Sequence, residues 1–324
     1  MALSTRTVFV TGSETCWWEH LEGVGLKDRD GTLELKLKEI LRHPFPGGRY
    51  HRKRGLQTNQ SIKFHQTPFQ RITIAMPTRL PLPSDFPPSL NPRIHPSEPA
   101  PSPTSISNVV IFLHGLGDTS ANFSHFSRAL NLPETLTVTL QAPFPLPLPM
   151  EAGHYHWGDD ILVDSGTGEV DPDCGLSKAA TLLSEDVIKK VLISECGFKV
   201  REVLMLGYGQ GGMASLAIAR TLGPEMELGG VMSIGGPLPS SCMLVNGPKI
   251  RTPVLLLGGA KGLIARSNGV ARTKGTFENV QYVQWKKGKD AMPASREEAL
   301  PMMQFFARSL RSRKGVPKGS VEVG

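Results

Sequence analysis

Three short stretches of this chain carry residues whose types and spacing could do chemistry. The first, His114-Gly115-Leu116-Gly117-Asp118-Thr119, sets an imidazole and a carboxylate around a glycine-rich turn. The second, Gly207-Tyr208-Gly209-Gln210-Gly211-Gly212, offers backbone amides and no nucleophilic side chain. The third, His154-x-His156-Trp157-Gly158-Asp159-Asp160, packs two imidazoles and two carboxylates into seven residues. Alternating histidines on an extended segment can share a metal ion, but a plain loop is the less demanding reading, and we expect no metal. Lys286, Lys287 and Lys289 supply amines, and Ser233 and Cys242 supply nucleophilic atoms. No spacing joins any such pair, and a lysine must lose about 3 pK units to act as a base near neutrality. A G-x-S-x-G sequence, which presents a serine on a strand-to-helix turn, occurs nowhere in the chain.

The elements that must position these stretches can be read from apolar spacing. Val109–Leu113 (VVIFL) is a wholly apolar run ending at His114-Gly115, as expected of a strand buried on both faces. Leu136–Gln141, Val203–Leu206, Val231–Ile234, Val254–Leu257 and Val280–Trp285 read as further strands. Asn122–Leu130, Lys178–Glu195, Met213–Leu222 and Glu297–Leu310 read as helices, and a long Gly/Pro/Asp-rich loop runs from Ala142 to Gly175. Strands alternating with helices predict an α/β fold with a doubly wound, mostly parallel sheet and right-handed crossovers. Ligands in such sheets sit at the carboxyl ends of the strands, and each stretch of interest lies at such an end. Ahead of the sheet, Leu80–Pro103 carries nine prolines in 24 residues, which forbids a helix and reads as an extended linker or edge segment. Four regions are expected: an irregular basic extension over 1–80, with a short helix around Thr32–Leu41; a Pro-rich linker over 81–107; the sheet domain over 108–310; and a basic tail over 311–324.

The HGLGD loop at His114, the turn at Gly207–Gly212 and the segment Ser233-Ile234-Gly235-Gly236-Pro237-Leu238-Pro239 together resemble the HGLGD, GFSQGG and SGxLP segments of the phospholipase/carboxylesterase family, whose best-known members are acyl-protein thioesterases. They occur in that family's order and spacing, over about residues 108–310. The resemblance implies an α/β-hydrolase fold, hydrolysis of acyl esters or thioesters and no cofactor. It also implies a serine on the elbow, a histidine after the last strand that deprotonates it, and an aspartate that orients the histidine. The serine position here is Gly209, and glycine adopts the strained elbow backbone without steric penalty. The acid position, within Gly258–Ile264, is Gly262. The histidine position, within Trp285–Asp290, has Lys289 as its nearest match. All nine histidines lie at or before His156. The resulting expectation is a catalytically inactive member of the family. Two alternatives are an active carboxylesterase or thioesterase using other residues, and a non-catalytic interaction scaffold. The resemblance further implies that backbone N–H groups near Leu116 and Gln210 can hold a carbonyl or carboxylate oxygen beside a helix N-terminus. It implies too that His114, His154, His156 and Trp157 line the pocket, with an acyl chain or an acylated protein as ligand.

The net charge of +7 does not make the domain a nucleic-acid binder. Residues 1–80 hold 13 Lys/Arg against 7 Asp/Glu, and residues 307–324 hold 5 against 1, so the body between them is slightly acidic. No aromatic-interleaved basic surface accompanies the charge. No apolar run reaches the ~20 residues of a membrane span. The opening residues lack the basic flank and apolar core of a secretory signal, and Glu14, Glu19 and Glu22 disfavour a transit peptide. Cys16, Cys174, Cys196 and Cys242 are widely spaced with no CxxC pair, which fits a reducing compartment, with the cytoplasm as the expected location.

Overall fold

Runs of aliphatic residues build the centre of the sheet. The computed structural model describes residues 79–98, 106–147, 153–166, 168, 170–242 and 247–312. The expected helix around Thr32–Leu41 and the tail beyond Ser312 lie outside them. Strand β2 (Asn108–Leu113) is buried at all six positions, because it runs parallel between β3 (Thr135–Leu140) and β6 (Val203–Tyr208). Its side chains alternate between two apolar layers. Val109, Ile111 and Leu113 join Val187, Val191 and Leu216 on one face. Val110 and Phe112 join Phe123, Phe305 and Phe306 on the other. Each such side chain contributes about 1.5–3 kcal/mol when fully buried, and a one-residue slip would exchange the two sets.

The sheet has seven strands in the order β1-β3-β2-β6-β7-β8-β9. Strand β1 is Arg93–Pro96, β7 is Gly230–Ile234, β8 is Val254–Gly259 and β9 is Val280–Trp285. All neighbours pair in parallel except β1, which runs antiparallel along the edge of β3. A separate antiparallel pair joins β4 (Phe144–Pro145) to β5 (Tyr155–His156). Beside three single 3-10 turns (Pro83–Asp85, Pro88–Leu90 and Val200–Glu202), the described residues form six α-helices: α1 (Ser120–Leu130), α2 (Ser177–Leu182, extended by a wider π-type helix over Leu183–Glu195), α3 (Gln210–Leu222), α4 (Leu263–Arg266), α5 (Gly269–Thr276) and α6 (Arg296–Ser309). This is the doubly wound, mostly parallel sheet of an α/β-hydrolase. The winding reverses at β2: the chain passes first to β3 on one side and then returns to β6 on the other. The carboxyl ends of β2 and β6 therefore flank a topological switch point, where such sheets bind ligands. None of the described helices is long and apolar enough to cross a membrane.

Two expectations need correction. Of the two readings of the Pro-rich segment, the edge segment holds and the linker over 81–107 does not, since β1 pairs with β3 and both Phe86 and Leu90 are buried in the core. Proline is tolerated there because an edge strand can leave the missing N–H pointing away from its partner. The domain therefore begins well before Asn108. Helix α3 also starts three residues earlier than the apolar spacing suggested, despite the low helix propensity of Gly211 and Gly212. Packing decides this, because a Cβ on Gly211 would overlap the backbone carbonyls of Leu113 and His114. The short helices α4 and α5 had no counterpart in the sequence reading.

Candidate active site

Gly209, between β6 and α3, holds φ 53° and ψ −119°, the sharp elbow that an L-residue adopts only under strain. Its N–H donates to the Ile234 carbonyl at 2.8 Å and its carbonyl accepts from Met213 N–H at 3.1 Å. A Cβ built on Gly209 meets nothing within 4 Å. The elbow is thus intact in backbone, and a side chain there would enter open space. The next N–H, on Gln210, and the N–H of Leu116 have no acceptor among the described residues.

The four residues expected to line a pocket are brought together, but mainly as braces. Trp157 is fully buried; its indole N–H donates to the His114 carbonyl at 2.8 Å, and its backbone N–H donates to Oε1 of Gln210 at 2.8 Å. Gln210 also donates to the Pro172 carbonyl at 3.1 Å, tying the elbow to the long loop after β3. Gly117 N–H donates to the Tyr155 carbonyl at 2.9 Å, and His154 Nδ1 bonds the Gly117 carbonyl. His114 is fully buried, and burial lowers its pKa. His156 is buried against Phe144, with ring centroids 5.6 Å apart, and its Nδ1 has no hydrogen-bond partner. Burial lowers its pKa as well, opposed in part by nearby Asp160. The carboxylate of Asp159 is spent on the N–H groups of Ser177 and Lys178 at the start of α2. Among the described residues no group of three or more His, Cys, Asp or Glu could hold a metal ion.

At the acid position, Gly262 precedes α4 with φ −74° and ψ 174°. The space a side chain would take there contains the carboxylate of Asp290. Its Oδ1 accepts from Gly259 N–H at 2.8 Å and its Oδ2 from Leu263 N–H at 2.7 Å. Tyr208, beside the elbow, donates its hydroxyl to the Asp290 carbonyl at 3.3 Å. Lys289, the nearest sequence match to a base, is exposed, so the residue that turns into the site from the loop after β9 is Asp290. The sequence reading named Asp290 only as the end of the stretch searched for a base. Its only signal was a carboxylate in a loop facing a segment rich in glycine. Of the remaining candidates, Lys286 is exposed, and Lys287 and Ser233 are engaged elsewhere. Lys287 pairs with Glu298 at 3.0 Å and lies 4.0 Å over the Trp285 ring. The buried Ser233 hydroxyl donates to the Gly236 carbonyl. Cys242 is half-buried, and burial raises its pKa.

A family described as phospholipase/carboxylesterase matches residues 100–311. An uncharacterized hydrolase of Schizosaccharomyces pombe is 32% identical over 208 residues, which is 63% of this chain and 84% of the relative. One of Mycosarcoma maydis is 30% identical over 155 residues, 46% of this chain and 55% of the relative. Among solved structures, esterase PE8 superposes with a TM-score of 0.52 at 18% identity, covering 67% of this chain and 98% of its own. A variant of Arabidopsis thaliana SOBER1 superposes at 0.50 with 20% identity, covering 63% and 100%. At these identities the structural likeness establishes the fold.

Proposed function

The chain belongs to the phospholipase/carboxylesterase family of α/β-hydrolases, and from that premise we propose that it binds an acyl chain or an acylated protein without hydrolysing it. One observation carries the reading: at Gly209 the elbow keeps its catalytic backbone shape while offering no oxygen to attack with. An acyl transfer through a covalent intermediate needs a nucleophile and a group to take its proton. In this reading Gly209, Gly262 and Asp290 occupy the places of serine, acid and base. The Asp290 carboxylate is held by two backbone N–H groups, Gly259 on one oxygen and Leu263 on the other. His114 has both ring nitrogens engaged.

Ligand binding is supported by the N–H groups of Leu116 and Gln210, which remain available to a carbonyl or carboxylate oxygen, and by the open space above Gly209. The same reading places the protein in the cytoplasm, supported by three cysteines, Cys174, Cys196 and Cys242, that are free among the described residues.

The test is turnover of p-nitrophenyl butyrate and of an octanoyl thioester by the purified protein. Rates equal to buffer are expected. Turnover well above buffer that resists a fluorophosphonate would overturn the proposal in favour of an esterase working through other residues.

A further inference from the structure

The carboxylate of Asp290 sits in a niche made by missing side chains. A Cβ on Gly235, where φ is +77°, would stand 2.9 Å from the Asp290 Cβ, and one on Gly258 would stand 3.1 Å from Oδ1. One on Gly262 would overlap the whole carboxyl group. The niche also supplies both donors: Gly259 N–H ends β8, and Leu263 N–H opens α4. The residue preceding α4, Gly262, provides no side-chain cap of its own.

The backbone at Gly262 does not call for glycine. Its φ of −74° and ψ of 174° are extended values that any L-residue adopts, and that a capping Asp or Ser favours. What forbids a side chain at 262 is the side chain of residue 290.

We infer that Asp290 is a positioning residue that takes over, from the loop after β9, the place of the site's acid at 262, capping α4 and clamping the loops after β8 and β9 together. Positions 262 and 290 are then a coupled pair, in which one carboxylate fits and two do not. The coupling is independent of whether the protein hydrolyses anything; only the assignment of 262 and 290 as acid and base places rests on the function proposed above.

Two measurements test it on the full chain. The first compares melting temperatures of the parent, Gly262→Ala, Asp290→Ala and the double variant. Gly262→Ala is expected to cost several degrees in the parent and less than about a third of that once the carboxylate is removed, the non-additivity of residues in contact. Equal losses in both backgrounds would overturn the pairing. If Gly262→Ala alone does not fold, a folded double variant supports the pairing, and an unfolded double beside a folded Asp290→Ala refutes it.

The second measurement uses the Gly209→Ser background and the rate of labelling by a fluorophosphonate. In that reaction the introduced serine oxygen displaces fluoride from phosphorus and gives its proton to a base. Gly262→Asp together with Asp290→His should label at least about tenfold faster than Gly209→Ser alone, within the range that general-base catalysis supplies, whereas either change by itself should not. A folded triple variant labelling no faster than Gly209→Ser would overturn the assignment of 262 and 290 as the acid and base places. Turnover by the unaltered protein, by contrast, would sink the proposed function and leave the clamp untouched.

Discussion

Ala142 donates its backbone N–H to Nε2 of His114 at 3.0 Å, while Nδ1 of the same ring lies 2.7 Å from the Gly115 carbonyl. An imidazole that accepts at one nitrogen and donates at the other is neutral. The side-chain nitrogen of Gln141, 2.8 Å from Nε2, reinforces that tautomer, because Oε1 of Gln141 is already committed to Ser120 N–H. The histidine of the HGLGD loop is therefore a fixed structural part and not a proton shuttle.

A pH dependence follows. Burial lowers the pKa of His114 below its ordinary 6.5, and His95 and His156 shift the same way for the same cause. As the pH falls through about 6.5, the unfolded chain takes up protons that the folded chain refuses, so stability is lost on the acid side and retained above it. Melting temperatures should be level near pH 8 and drop between about pH 6.5 and 5. The drop should be shallower in His114→Gln, even though that variant melts lower throughout. Parallel curves would show that His114 does not contribute.

Gly209→Ser should fold. The new side chain meets open space, but a positive φ costs an L-residue about 1–3 kcal/mol. A small fall in melting temperature with no measurable ester hydrolysis is expected, since no described imidazole lies after His156 in the chain and His114 is committed. A large gain in hydrolysis would reveal a hidden base.

Gly211→Ala and Gly223→Ala separate crowding from backbone strain. Gly223, with φ +78° and ψ −174°, has nothing within 4 Å of a built Cβ, so the change should cost about 1–3 kcal/mol through conformation alone. At Gly211 the methyl would run into the carbonyls of Leu113 and His114, which cannot rotate aside. A loss above about 2 kcal/mol is expected in urea denaturation, comparable to overpacking a tight core. A loss at Gly211 below about 1 kcal/mol would mean that β2 can retreat from α3.

Truncation tests where the domain begins. Removing residues 1–78 should leave the melting temperature nearly unchanged, because the hydrophobic core among the described residues begins at Phe86. Removing residues 1–106 deletes β1 together with buried Phe86, Leu90 and Ile106, and should unfold the protein or lower its melting temperature strongly. An equally mild effect of both cuts would return the Pro-rich segment to the role of linker.

What the sequence determined by itself was the central strands of the sheet and the residue types at the elbow. The wholly apolar run Val109–Leu113 reads as a strand buried on both faces, and β2 was legible within a residue of its ends; β3 (TLTVTL) and β9 (VQYVQW) mix polar and apolar residues, and their ends were read as closely. The lack of a serine at Gly209 and of any histidine after His156 needs no geometry to establish. Tertiary structure decided the rest. Periodicity reports which face of an element is buried and says nothing of where a loop side chain turns. That Asp290, not Lys289, fills the space beside Gly262 depends on β8 and β9 lying in parallel register, Leu257 against Val283, which brings their following loops together. Whether the proline-rich segment was a linker or an edge segment stayed open for a similar reason: its hydrogen bonds go to β3, a partner that local composition cannot announce.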